Sequence, residues 1–238
     1  ETQGGGLWLT GNGTSTIERS TIRNNTAKTD GGGMTIGTAG TVANSTVSGN
    51  TSTGIGGGIF STATSTATIR NVTVSGNAGG LGGGLGVTGT STLRNVLFFG
   101  NTATNFGGGI GANNAGAPNL GNVILVGNLR DGAAANCATG GGAGIVSAGT
   151  NLSGDATCAL AGPGDQNSVA TMGVDTDLAD NGGPTRTHAL QAGSPAINAG
   201  NAALCPTTDQ RGFGRQGACD IGPFEFGGVA PAALRAGV

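Results

Sequence analysis

The sequence predicts an all-β fold, a parallel β-helix (β-solenoid) in which short strands stack coil upon coil. Three observations predict it. A motif recurs about every 25 residues, apolar positions line up between recurrences, and no window shows a capped apolar period of 3.6 residues.

The recurrence is carried by two markers. Glycine triplets begin at Gly4, Gly31, Gly56, Gly82 and Gly107, separated by 27, 25, 26 and 25 residues. An asparagine keeps step with them at Asn25, Asn50, Asn77, Asn101 and Asn128. A linker drifts in length because nothing holds its register, whereas a fixed period of this size belongs to a stacked repeat.

Between the markers lie strings of four to six residues, β-branched and alternating, each read as a short strand. Their apolar columns are Ile17, Val42, Ile69, Leu93 and Leu120; Ile22, Val47, Val74, Phe98 and Leu125; and, after the glycines, Leu7, Met34, Ile59, Leu85 and Ile110. A column of Ser20, Ser45, Val72, Val96 and Val123 runs between the first two. One repeat has too few apolar side chains for a core of its own, but stacked in register the columns close a continuous interior. A charge at Val74 is then expected to disrupt the stack, while Ser75, on the opposite side of the strand, is expected to tolerate one.

The glycines and asparagines supply the corners. Glycine adopts positive φ without strain and lets backbones approach closely. Asparagine tolerates the left-handed region, and its amide can bond from coil to coil as a ladder. Residues 1–136 read as regular repeats, 137–174 as irregular disulfide-containing coils, and 175–238 as a closing region with a tail. At about 25 residues per coil, the whole chain corresponds to roughly nine coils.

The glycine-plus-asparagine spacing resembles the right-handed parallel β-helix repeats of bacterial surface proteins, polymorphic outer-membrane proteins among them, with VLFFGNTATNFGGGI the nearest local match. In the C-terminal third, LADNGGPTRTHALQAGSPAINAGN followed by CPTTDQRGFGRQGACDIGPFEF resembles the choice-of-anchor Q domain that ends many such proteins. The resemblance implies export, a right-handed coil and a place at the bacterial cell exterior. It implies no particular reaction, since the same fold also carries polysaccharide lyases and hydrolases.

Composition narrows the partners. Glycine makes up 52 of 238 residues, only 9% are charged, the net charge is −2 and 36% are hydrophobic. That apolar share separates the chain from disordered glycine-rich sequences. Without a basic patch, nucleic acid is not an expected partner, and no apolar run is long enough for a membrane span. Glu1 opens almost directly onto a repeat, which reads as the mature product of an exported precursor.

Cys137, Cys158, Cys205 and Cys219 all lie outside the regular repeats, and none has a metal-binding spacing. Four cysteines allow three pairings, of which the sequence-local one, 137 with 158 and 205 with 219, would staple the irregular regions. Disulfides imply an oxidising compartment. A zinc site joining the thiols to His188 is the alternative.

An enzyme of the lyase or hydrolase type needs clustered acids, and glycoside hydrolysis needs two carboxyl groups flanking one bond. No Asp or Glu occurs between Asp30 and Asp131, so the expected reading is non-enzymatic, without a cofactor. Acids gather later, at Asp175, Asp177, Asp180, Asp209, Asp220 and Glu225, among Arg186, Arg211 and Arg215. Turn formation and ion pairing account for them, with calcium at Asp175, Asp177 and Asp180 the alternative. The GxGxxG at Gly84–Gly89 lies inside a repeat with no helix after it, which excludes phosphate binding.

Two further patterns bear on partners. Thr16, Thr41, Thr68 and Thr92 form a column, flanked two residues earlier by Thr14, Ala39, Thr66 and Thr90. On a flat solenoid this Thr-x-Thr array is the pattern of ice-binding proteins; on an exposed strand it is also simply good β-former chemistry. Finally, Leu7, Trp8 and Leu9 near the start and Phe224 and Phe226 near the end are candidate subunit contacts. First coil docking on last coil would give a head-to-tail filament. The function expected from the whole is an extracellular structural or adhesive solenoid, with surface glycans or cell-surface proteins as partners.

Overall fold

The computed structural model describes residues 4–141 and 144–231, and among them there is no helix. The chain winds into three parallel sheets. The first contains Leu7–Leu9, Met34–Ile36, Ile59–Ser61, Leu85–Val87, Ile110–Asn113 and Cys137–Gly140. The second is built on the long strands Ala39–Ser48, Thr66–Ser75 and Thr90–Phe99. The third has two-residue strands, from Thr26–Ala27 to Leu129–Arg130, and closes with the antiparallel Ala133–Ala134.

The register is that of the columns. Leu7 pairs with Met34, Met34 with Ile59, Ile59 with Leu85, Leu85 with Ile110 and Ile110 with Cys137. Val42, Ile69, Leu93 and Leu120 stack likewise in the second sheet. All four are fully buried, in one cluster with Val47, Val74, Phe98 and Leu125. Burying each such side chain contributes about 1.5–3 kcal/mol, which the isolated repeat forgoes.

The triplets sit where one coil crosses the next. A Cβ at Gly57 would collide with the backbone of Ala78 and Gly83 in the following coil, so close backbone approach, as much as turning, keeps this position glycine.

The second sheet is bent along its length by a second asparagine column, which the first had hidden. Asn44, Asn71, Asn95 and Asn122 each lie six residues before a marker asparagine. Their φ angles are 48°, 49°, 52° and 57°, in the left-handed region that Asn accepts more readily than most side chains.

The number of coils differs from the expected nine. The first sheet ends at its sixth strand, after about five turns. Past Ser153 no further strand joins the sheets, and the stack continues only as an isolated parallel bridge between Leu152 and Gln166. The chain crosses the end of the solenoid and then returns along the outer face of the second sheet as an irregular strap. Counting by period assumed that every residue stacks, whereas the strap spends its residues on a face the solenoid had left apolar. That face shows Leu97, Phe99, Ile124 and Val126, which pack with Leu152, Met172, Leu190, Ala196, Ile221 and Phe224 in a second apolar cluster.

Candidate functional site

The marker asparagines form an internal ladder. Asn25 Nδ2 donates to Asn50 Oδ1 at 3.0 Å, Asn50 to Asn77 at 2.9 Å, Asn77 to Asn101 at 2.9 Å and Asn101 to Asn128 at 2.8 Å. The second proton of each buried amide goes to a carbonyl one coil back, as Asn77 Nδ2 does to Val47 O at 3.0 Å. Each amide therefore ties three coils, and the interior asparagines are 0% to 1% exposed without leaving a polar group unpaired.

The ladder has a direction, and its far end is closed. Asn128 donates to Asn136, whose backbone N–H donates to Asp155 Oδ2 at 2.8 Å. A parallel run ends when Asn151 N and Nδ2 both donate to Asp165 Oδ1 at 2.9 Å. The two carboxylates accept and have nothing to pass on. Leu160 packs into the interior cluster beneath them, and the Cys137–Cys158 disulfide fastens this cover to the last strand of the first sheet. The interior at the last coil is thus partly closed, while Val146, in the last strand of the second sheet, stays 43% exposed.

The tail positions expected at that coil are elsewhere. Phe224 is buried in the side cluster, its ring 3.7 Å from the Arg211 guanidinium, and Phe226 is 41% exposed on the strap. Leu7 and Leu9 are half-buried on the first coil, with Trp8 between them 56% exposed. Residues 232–238 of the tail lie outside the described residues.

The strap hangs on the second asparagine column. Asn71 Nδ2 donates to Thr208 O at 2.9 Å, Asn95 Nδ2 to Asp220 O and Gly222 O at 3.1 Å each, and Asn122 Nδ2 to Asn201 O at 3.1 Å. Nearer the first coil the contacts become polar, because the outward residues there are Thr46, Thr73 and Ser75. Gln210 accepts from Thr73 Oγ1 at 2.7 Å and donates to Thr46 Oγ1 and Thr185 Oγ1 at 2.9 Å.

The C-terminal acids are structural. Asp209 pairs with Arg211 at 2.7 Å and Glu225 with Arg215 at 2.9 Å, both pairs buried. Asp220 accepts from the backbone N–H groups of Asn198 and Phe226 at 2.7 and 2.6 Å. Burial raises its pKa, and those two bonds pull it back. The Cys205–Cys219 disulfide closes the same knot. All four thiols are therefore consumed, which rules out the zinc alternative.

His188 is no ligand either. Its Nδ1 lies 2.9 Å from Asp175 O, its Nε2 2.8 Å from Ser75 Oγ, and its ring stacks on Phe99 at 4.3 Å. Asp175 accepts from Asp177 N and Asp180 from Gly182 N, in separate turns. Among the described residues no three His, Cys, Asp or Glu side chains converge to hold a metal. The carboxylates of Asp175 and Asp180 thus serve as turn acceptors.

Two open concavities stand out among the described residues. One, about 370 Å³, lies between the first two coils and the strap, lined by Thr21, Arg23, Ser48, Asp180, Pro184 and Arg186 among others. The other, about 500 Å³, is a notch in the third sheet where Ala78, Gly79 and Gly80 fall between Thr51–Thr53 and Thr102–Thr104. On the neighbouring face, Thr16, Thr41, Thr68 and Thr92 stand in register.

Stacked parallel coils, an internal amide ladder and a disulfide-tied strap define a parallel β-helix repeat protein. The family model described as a right handed beta helix region matches residues 1–129, more than half of the chain, and the chain belongs to that family. No curated protein and no solved structure matches it. Among the described residues no helix is long and apolar enough to cross a membrane.

Proposed function

We propose that this chain is a non-catalytic module of a bacterial cell exterior, a rigid solenoid that presents its outer faces to surface partners. The observation that carries this reading is how the carboxylates are used. The solenoid has none between Asp30 and Asp131, and the buried acids beyond it are held by arginine or by backbone N–H groups. A general acid or base needs a carboxyl group aimed at a substrate, and none of these is free to turn. Two disulfides support an oxidising location.

With Leu160 and the Cys137–Cys158 disulfide over the interior at the last coil, we read a discrete module in preference to a head-to-tail filament. Two measurements test it. Antibody labelling of intact source cells should find the protein outside, and pectate or alginate, with or without calcium, should release no unsaturated or reducing ends. Turnover abolished by Asp180→Asn would overturn it.

The in-register threonines favour one second reading, ice binding. Thermal hysteresis in the native protein, lost in Thr68→Tyr, is its test; absence of hysteresis removes it.

A further inference from the structure

The groove beside the first two coils has a composition that the fold itself does not require. Its solenoid wall is Thr21 and Arg23 of the first coil with Thr46 and Ser48 of the second, and its strap wall runs from Leu178 through Asp180 to Arg186. Arg23 and Arg186 are both exposed, and neither is in an ion pair among the described residues. In a chain with ten basic residues, two guanidinium groups facing one groove from separate parts of the fold call for a ligand.

The strap wall is held rigidly. Arg186 O accepts from Thr46 Oγ1 at 2.6 Å and from Gln210 Nε2 at 3.1 Å, and Gln210 also holds Thr185. Above it, Asn181 Nδ2 donates to Thr187 O at 2.9 Å, and Arg211 donates to Asn181 O at 3.2 Å. The backbone carrying Arg186 and Asp180 is thus fixed by bonds made beneath the surface, and little ordering entropy is left for a ligand to overcome.

We propose that this groove binds the carboxylate-bearing end of a carbohydrate. A guanidinium offers a planar fork of donors that matches a carboxylate. Two such forks and one aspartate leave a single positive charge, suited to a monoanion. Asp180, with the Thr21 and Ser48 hydroxyls, supplies acceptors and donors for the ring hydroxyls beside it. The same aspartate disfavours a dianionic phosphate or sulfate. The volume of about 370 Å³ falls at the small end of ligand sites, the size of one or two sugar rings. The inference deepens the surface-module reading and takes from it only the source of the ligand.

The test is calorimetric titration of the whole chain with sialyllactose and galacturonate, each a monoanion, with lactose and inorganic sulfate as controls. The acidic sugars should bind at least about tenfold more tightly than lactose or sulfate. Arg23→Gln and Arg186→Gln should each weaken them by about tenfold or more, with unchanged melting temperature because both side chains are exposed. Asp180→Asn should weaken the sugars while strengthening sulfate. Lactose binding as well as the acidic sugars, indifference to both arginine variants, or sulfate equalling the sugars (an adventitious ion only) would each overturn the proposal. Surface labelling of intact cells is independent of both arginines, so a failed groove and a failed surface reading give different results.

Discussion

Ser75 Oγ lies 2.8 Å from His188 Nε2, joining residues 113 positions apart. On the other side of the ring, Nδ1 faces the Asp175 carbonyl oxygen at 2.9 Å. A carbonyl can only accept, so Nδ1 carries the proton and Nε2 accepts from the serine hydroxyl. The geometry selects the neutral Nδ1–H tautomer. It also reverses the expectation that Ser75 tolerates a charge. The residue does point away from the solenoid interior, but the strap covers it and leaves it 7% exposed. Ser75→Ala should leave Nε2 without a donor and cost about 1–3 kcal/mol in denaturant unfolding, and a loss below a few tenths would show that the bond carries no weight.

Acid should loosen the strap through the same histidine. Burial pushes His188 below its ordinary value of 6.5, while the Asp175 carbonyl bond and the charges of Asp175 and Asp177 oppose this. The unfolded chain then takes up the proton at a higher pH than the folded one. The contribution is complete above the unfolded pKa, near 6.5, and is lost as pH falls from there toward the lowered folded value. Asp220 acts oppositely, since its raised pKa favours the folded state at the acid end. The melting temperature should therefore drop between about pH 7 and pH 5, and His188→Gln should flatten that slope. An equal slope in the variant would assign it to other groups.

Val74 is fully buried between Val47 and Phe98. Val74→Asp places an unpaired charge in a dry interior and should cost several kcal/mol, enough to unfold adjacent coils. Amide exchange in neighbouring coils reports this directly; unchanged protection there would mean that the coils do not share a core.

The ladder can be tested by chemistry rather than by size. Asn77→Asp keeps the acceptor for Asn50 but removes the donor to Asn101 Oδ1 and Val47 O. Two buried acceptors each lose a donor beside a new charge, Asn101 Oδ1 keeping only the Asn77 N–H, and the cost should be about 3 kcal/mol or more. Carboxylates occur naturally only where the ladder stops, at Asp155 and Asp165, which have acceptors alone to supply. A stable Asn77→Asp protein would mean that the amides are packed but not energetically bonded.

The second disulfide should matter to the strap and little to the solenoid. Cys205 and Cys219 enclose 14 residues of sequence separation, a loop whose opening costs about 3 kcal/mol. The Cys205→Ser, Cys219→Ser double variant should expose strap sites to protease while the interior amides stay protected. Simultaneous loss of both would show that strap and solenoid unfold as one unit.

The sequence by itself determined the solenoid: its period, the in-register columns from Leu7 to Ile110 and the marker ladder. These are translational features, repeated every 24 to 27 residues, so counting positions is enough to find them. One signal of the strap was also present, since VLFF and VILV are apolar on both alternating faces and a strand with that pattern is covered on both sides. What covers it was not legible. Only the tertiary structure decided where stacking stops, that the Asn71, Asn95 and Asn122 amides hold the strap, and that Arg23 and Arg186 line one groove. Those relations join residues such as Thr46 and Gln210, 164 positions apart, with no period to announce them. They exist because residual apolar and polar groups on the face of a finished solenoid find partners in the non-repeating remainder of the chain, and such complementarity is a property of two surfaces rather than of either string of residues.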